Sequence, residues 1–160
     1  MKTLFASDLE EKKLAIEEEL DRLFPGRCIQ RVLLVIPPDA DKQMFTYSTG
    51  KRGRYYNFPP YGPGLLAAHL RDEGLEVDML NLHDEILKAC QTSAREEDFD
   101  FDQEWKTALT RKVRSFSPDL VGISCMFTQA HDSTMNVTNE VKSQFPRIPI
   151  ALGGVHIPIA

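Results

Sequence analysis

The stretch from Ser117 to Ile157, SPDLVGISCMFTQAHDSTMNVTNEVKSQFPRIPIALGGVHI, sets the tightest limit on what this chain can fold into. Leu120–Cys125 is a short apolar run, Gln129–Phe145 carries a helical stripe, and Ile148–Leu152 is apolar again. Two strands joined by a helix make a crossover unit, because parallel strands cannot be linked by a tight turn. Such a unit belongs to an α/β domain with a parallel sheet covered on its faces. Each strand ends in a loop of ligand-binding character, Ser124–Cys125–Met126 after the first and Gly153–Gly154 after the second.

The preceding chain supplies the rest of the sheet. Arg31–Ile36, RVLLVI, is nearly all apolar, as a central parallel strand buried on both faces should be. It stops at Pro37–Pro38, and the loop from Asp39 to Pro60 holds Met44, Phe45, Tyr47, Tyr55, Tyr56 and Phe58. Connectors of this kind usually take about two to six residues, so this loop has work beyond connection. It leaves the carboxyl end of a strand, where open parallel sheets bind ligands. The expectation is an aromatic wall over a planar molecule, with a self-packed lid as the alternative. Pro59–Gly64 then leads into the helix LLAAHLRDEG, with Leu66 and Leu70 on one side and Gly74 at its end. Amides at that helix start suit a phosphate or amide oxygen. Leu75–Leu80 alternates as an outer strand.

Asn81–Leu82–His83–Asp84 reads as a set of solvated helix-start residues, since a metal would need further ligands at suitable spacing. REEDFDFDQE, from Arg95 to Glu104, reads as a solvated acidic excursion; a calcium loop's ligand spacing and glycine are missing. Trp105, Leu109, Val113 and Phe116 form a helical stripe that packs back on the sheet. At the N-terminus, Ser7–Asp8–Leu9–Glu10 fits a capping box. Leu9, Ile16, Leu20 and Leu23 follow on one face until Pro25–Gly26. This helix is expected to cover one side of the domain, with docking of another domain as the alternative. Residues 1–27 are thus a helical extension and residues 28–160 one Rossmann-like domain.

Strand–helix–strand repeats of this kind imply the flavodoxin-like order 2-1-3-4, doubly wound. Arg31–Ile36 then lies beside Leu120–Cys125, with crossovers on opposite faces and a ligand rim at that switch point. The rim consists of the aromatic loop, Ser124–Gln129 and Gly153–His156. Serine and threonine there can donate to a ligand, and paired glycines let backbone approach a flat one. No Ser–His–Asp order, Walker loop or GxGxxG is present, and no catalytic constellation stands among these residues. They describe a binder.

Composition narrows the partners. A chain of 160 residues is about one domain. Its net charge is −5 and its one tight cationic group is Lys51, Arg52 and Arg54, which argues against nucleic acid. No apolar run approaches the roughly 18 residues of a membrane span. The acidic N-terminal segment is unlike a secretory peptide, so a cytoplasmic location is expected. Cys28, Cys90 and Cys125 are odd in number and widely spaced, which favours reduced thiols, with Cys125 in the core.

Ser124–Cys125–Met126 followed by Gly153–Gly154 resembles the Ser-x-Leu…Gly-Gly pattern of cobalamin-binding Rossmann-like domains, at matching separation and with Met126 in place of leucine. The phrases PPYGPGLLAAHLRDEGLEVDMLNL, SPDLVGISCMFTQ and FPRIPIALGGVH resemble the N-terminal cobalamin-binding domain of radical S-adenosylmethionine enzymes. That group includes methyltransferases and the anaerobic magnesium-protoporphyrin ester cyclase. The resemblance, from Arg31 to His156, implies cobalamin (vitamin B12) as cofactor. Ser124 would hydrogen-bond its nucleotide tail, Met126 would line the same channel, and Gly153–Gly154 would let the chain pass close by. Phe127, Thr128, Val155 and His156 extend the implied cofactor-binding set, as do Tyr47, Tyr61 and Gly62. No catalytic residue or metal ligand is implied within the chain.

Two departures qualify the resemblance. The Asp-x-His-x-x-Gly motif that supplies an axial histidine is replaced by Pro37–Pro38–Asp39–Ala40–Asp41. Base-off binding without a histidine on cobalt is expected, with the loop around Met44–Tyr47 over the lower face. The chain also stops at Pro158–Ile159–Ala160, before a fifth strand, without a CxxxCxxC motif. The expectation is a C-terminally truncated domain whose radical half, with its 4Fe–4S cluster and S-adenosylmethionine, lies elsewhere in the parent chain. Without a fifth strand, Ile148–Leu152 would be an apolar edge favouring self-association. Two alternatives stand beside this reading: a domain of the same ancestry that has lost cobalamin and acts as a docking platform, and a flavodoxin-like flavin or nucleotide binder.

Overall fold

Strand β1 (Arg31–Ile36) lies inside a four-stranded parallel sheet, between β2 (Glu76–Asn81) and β3 (Leu120–Ser124), with β4 (Ile150–Gly153) beyond β3. This computed structural model describes residues 2–24, 26 and 28–154. The order β2-β1-β3-β4 is the one that the repeats implied. Register pairs Leu34 with both Met79 and Gly122, Val35 with Ile123, and Ser124 with Gly153. Asp119 fixes the start of β3 against β1, its carboxylate accepting from the Gln30 and Arg31 amides at 3.0 and 2.9 Å.

Alternate residues of each strand face opposite sides. Leu33, Val35, Val121 and Ile123 join a core with α4 (Leu82–Thr92), α5 (Phe101–Phe116) and α6 (His131–Gln144). Trp105, Leu109, Val113 and Phe116 supply its α5 stripe, all buried as their spacing predicts. The other face carries Val32, Leu34 and Val77 against Ala67 of α3 (Tyr61–Asp72). Helix α3 begins at Tyr61 and carries Gly62–Pro63–Gly64 in its first turn, earlier than the apolar run suggested. Leu70 packs against the sheet cluster, whereas Leu66 stays exposed beside a cavity.

The acidic segment is exposed through a short turn at Glu96–Asp98, then buries Phe101 at the start of α5. The Asp100 side chain caps that helix, accepting from the Asp102 and Gln103 amides at 3.0 and 3.1 Å.

Helix α1 (Lys2–Leu23) corrects two expectations. Ser7 lies within it, so the capping box does not start the helix. It does not cover the domain either: Leu14, Ile16 and Leu20 are 58%, 60% and 48% exposed. Ile16 and Leu20 share a side, but Leu14 lies roughly 200° round the helix from Ile16, so no continuous apolar stripe forms among them. Pro25, expected to stop this helix, is outside the described residues. No helix among the described residues is long and apolar enough to cross a membrane.

Candidate ligand groove

Two cavities meet at the carboxyl end of β1 and β3, sharing Pro63, Ser124 and Met126 in their linings. The first, of about 340 Å³, lies above the strand ends between the Pro37–Asp39 loop, the Asn57–Tyr61 segment, His83 and Phe127. The second, of about 380 Å³, runs along the α3 face of the sheet. Its floor is made by Gly122, Ala151 and Gly153, and its wall by Gly62, Pro63 and Leu66. Helix α3 lies over the β1–β2 half of this face, so the β3–β4 half stays open. The small residues make that half a trough.

Each glycine here has its own reason. A Cβ on Gly122 would lie 2.9 Å from Leu34 Cδ2, so this glycine makes room for a core side chain. Gly153 has nothing within 4 Å of its added Cβ, which would project into open space. Gly154 has φ +104° and a Cβ there would sit 2.1 Å from the Cys125 carbonyl oxygen. Its bareness therefore serves a backbone crossing at Cys125, whose amide donates to the Gly153 carbonyl at 2.7 Å. Cys125 is fully buried, as a strand-end core residue.

Ser124 stands at the joint of the two cavities, and its hydroxyl has no hydrogen-bond partner among the described residues. Met126 and Phe127 are half-exposed on the groove wall. Tyr61 lines the upper cavity and Gly62 the lower one. Thr128 opens the short turn before α6 and lines neither cavity. Val155 and His156 are outside the described residues.

Tyr47 is not brought to the groove. It opens the short helix α2 (Tyr47–Lys51), shares a hydrogen bond with the Ser93 hydroxyl at 2.9 Å, and tilts against Phe99. Phe45 likewise stacks on Tyr55, at a centroid distance of 5.0 Å, and touches Phe99 and Phe101. The first half of the aromatic loop is thus a self-packed plug. The second half reaches the cavity, where Phe58 stacks on Tyr56 at 5.5 Å.

His83 is the residue that sequence reasoning missed. It was read as solvated, yet it is only 6% exposed and lines the upper cavity. The first turn of α4 lies beneath both loops, and its Asn81 cap accepts from the Asp84 amide at 3.2 Å. His83 does not couple to Asp84, which instead pairs with Lys88 and accepts from Asn57 Nδ2 at 2.8 Å. The available signal was position: His83 follows directly on the carboxyl end of β2. Asp39, His83 and the Tyr61 phenol are the titratable groups of that cavity's lining. No group of three or more potential metal ligands stands among the described residues.

A parallel doubly wound sheet with a two-part groove at its switch point defines an α/β ligand-binding domain. The chain belongs to the B12-binding domain family, whose model matches residues 52–160. Cobalamin is the cofactor this membership supports, and beside the open apolar trough the Ser124 hydroxyl, without a partner among the described residues, is able to hydrogen-bond an amide- or phosphate-bearing ligand. The match begins after β1, although β1 pairs on both sides within the same sheet. Comparison with curated proteins and with solved structures returned no match.

Proposed function

We propose that this chain is the cobalamin-binding module of a radical S-adenosylmethionine enzyme, and that it holds the cofactor base-off with no histidine on cobalt. The carrying observation is the pair of cavities joined at Ser124. The lower trough would take the nucleotide tail, with Ser124 donating a hydrogen bond, Met126 alongside and Gly153 keeping the floor low. The upper cavity would take the corrin, between Phe58, Tyr61 and Phe127. Thr128, Val155 and His156 complete the rim by the family's pattern. Once bound, cobalamin supplies the organometallic chemistry; the residues here bind it, orient it and exclude water.

The absence of an axial histidine is supported by His83. It is the one histidine among the described residues that lines either cavity, and backbone groups occupy both its ring nitrogens. The radical parent is supported by the phrasing PPYGPGLLAAHLRDEGLEVDMLNL and FPRIPIALGGVH, and S-adenosylmethionine with its 4Fe–4S cluster would reside in another segment of that parent. Residues 28–160 would form the module and residues 1–27 an extension, working in the cytoplasm. A flavin or nucleotide binder fits less well, because Pro37 and Pro38 after β1 offer no amide donors for a phosphate.

The test mixes purified protein with hydroxocobalamin, removes free cofactor and records the visible spectrum. Retained colour is expected, as is an electron paramagnetic resonance spectrum of the bound cobalt(II) form without splitting from an axial nitrogen. Colourless protein would overturn cobalamin binding and favour the docking platform. Nitrogen splitting would overturn the base-off, histidine-free mode alone. A parent reading frame without CxxxCxxC would overturn the radical assignment.

A further inference from the structure

His83 reaches two separate loops of the upper cavity. Its Nε2 lies 3.0 Å from the Tyr56 carbonyl oxygen, and its Nδ1 lies 3.4 Å from the Asp39 amide nitrogen. A carbonyl only accepts and an amide only donates, so the two contacts together fix one state of the ring. Nε2 carries the hydrogen and Nδ1 carries the lone pair. Both partners are backbone, so no side-chain rotation can reverse their polarity.

We propose that His83 is a positioning residue that ties the strand β1 loop to the aromatic segment in its neutral form, and that its protonation loosens the corrin side of the groove. A proton on Nδ1 sets two donors against each other and breaks the tie to the Asp39 amide. The charged groups around the ring favour that exchange. The Asp39 carboxylate of the β1 loop stands 3.8 Å from Nε2 and attracts an imidazolium. On α4, Asp84 is engaged by Lys88 and Asn57, and on α3 the Tyr61 phenol faces the same cavity. In acid the β1 loop therefore trades an amide contact for a carboxylate contact and reseats one wall.

The consequence for cofactor affinity rests on the cobalamin reading; the tie itself does not. In the ligand-free protein, hydrogen exchange should show the Asp39 amide losing about tenfold in protection between about pH 8 and pH 5.5, the effect of one hydrogen bond. His83→Asn keeps an acceptor towards that amide and does not titrate, so its protection should be equal at both pH values. Asp39→Asn keeps the tied amide but removes the carboxylate that favours the exchange, so the loss of protection in acid should persist and be smaller. With cobalamin, the wild type should bind about tenfold more weakly at the acid end, and His83→Asn should show a flat profile. Protection independent of pH in the wild type, or the same pH slope in His83→Asn, would overturn the proposal. Failure to bind cobalamin at any pH would overturn the proposed function and leave the exchange result to decide the tie.

Discussion

The two faces of the sheet, built from alternate residues of the same strands, have opposite designs. On one, Leu33, Val35, Val121 and Ile123 meet Ile86, Trp105, Leu109 and Val137 from three helices, and the layer is closed. On the other, Val32 and Leu34 are covered by α3 while Gly122, Ala151 and Gly153 leave a trough. Burying a large apolar side chain contributes about 1.5–3 kcal/mol, and a glycine contributes nothing comparable. The closed face therefore stabilises the sheet, and the open face leaves apolar surface for a ligand to cover.

The largest expected effect lies on the closed face. Leu109→Ala removes a side chain 1% exposed and should cost about 3 kcal/mol in denaturant unfolding. A loss under about 1 kcal/mol would mean that this layer is not the stabilising one. On the open face the pattern should reverse. The Cβ of Gly153→Val has nothing within 4 Å and projects into the open trough, so stability should change by no more than about 0.5 kcal/mol. Cobalamin affinity should fall at least about tenfold as the trough fills, a change of about 1.4 kcal/mol. Unchanged affinity would remove the trough from the ligand's path.

The smallest effect is expected at the edge of the closed layer, where Asp100 caps α5. Hydrogen bonding from the Gln103 amide holds the Asp100 carboxyl below its usual range; burial opposes this, and the charge of Lys42 adds to the lowering. A lowered folded value means that the stabilisation is present above the unfolded carboxyl's range, near about pH 4, and is lost as pH falls through the folded value. Asp100→Ala should cost about 1 kcal/mol at neutral pH, and the gap to wild type should close in acid. A gap constant with pH would show that the carboxylate is not the cap.

Particular residues show where legibility stopped. The apolar runs Leu120–Cys125 and Ile148–Leu152 were visible because a buried parallel strand needs a run of apolar residues and a crossover helix needs its own period, and the strands themselves span Leu120–Ser124 and Ile150–Gly153. The strand order followed, because connection rules leave few arrangements. Ser124 and Gly153 stand at strand ends, where the topology alone puts a rim. Tyr47 and His83 were misplaced for one shared reason. Both sit in connections, where no period records which way a side chain turns. The loop's first half turned towards Phe99 and Phe101, and α4's first turn slid beneath the second half.

From the sequence came the parallel sheet and its strand order, the helices of its crossovers, the place of the rim at the strand ends, and the family phrases there. These are written in local periodicity, residue size and chain punctuation, which act over a few neighbours. Tertiary structure alone decided that Gly154 serves a backbone crossing while Gly153 faces open space, that the aromatic loop divides into plug and wall, and that His83 ties Asp39 to Tyr56. Those outcomes depend on contacts between residues far apart in the chain. Their geometry exists only once the layers have packed.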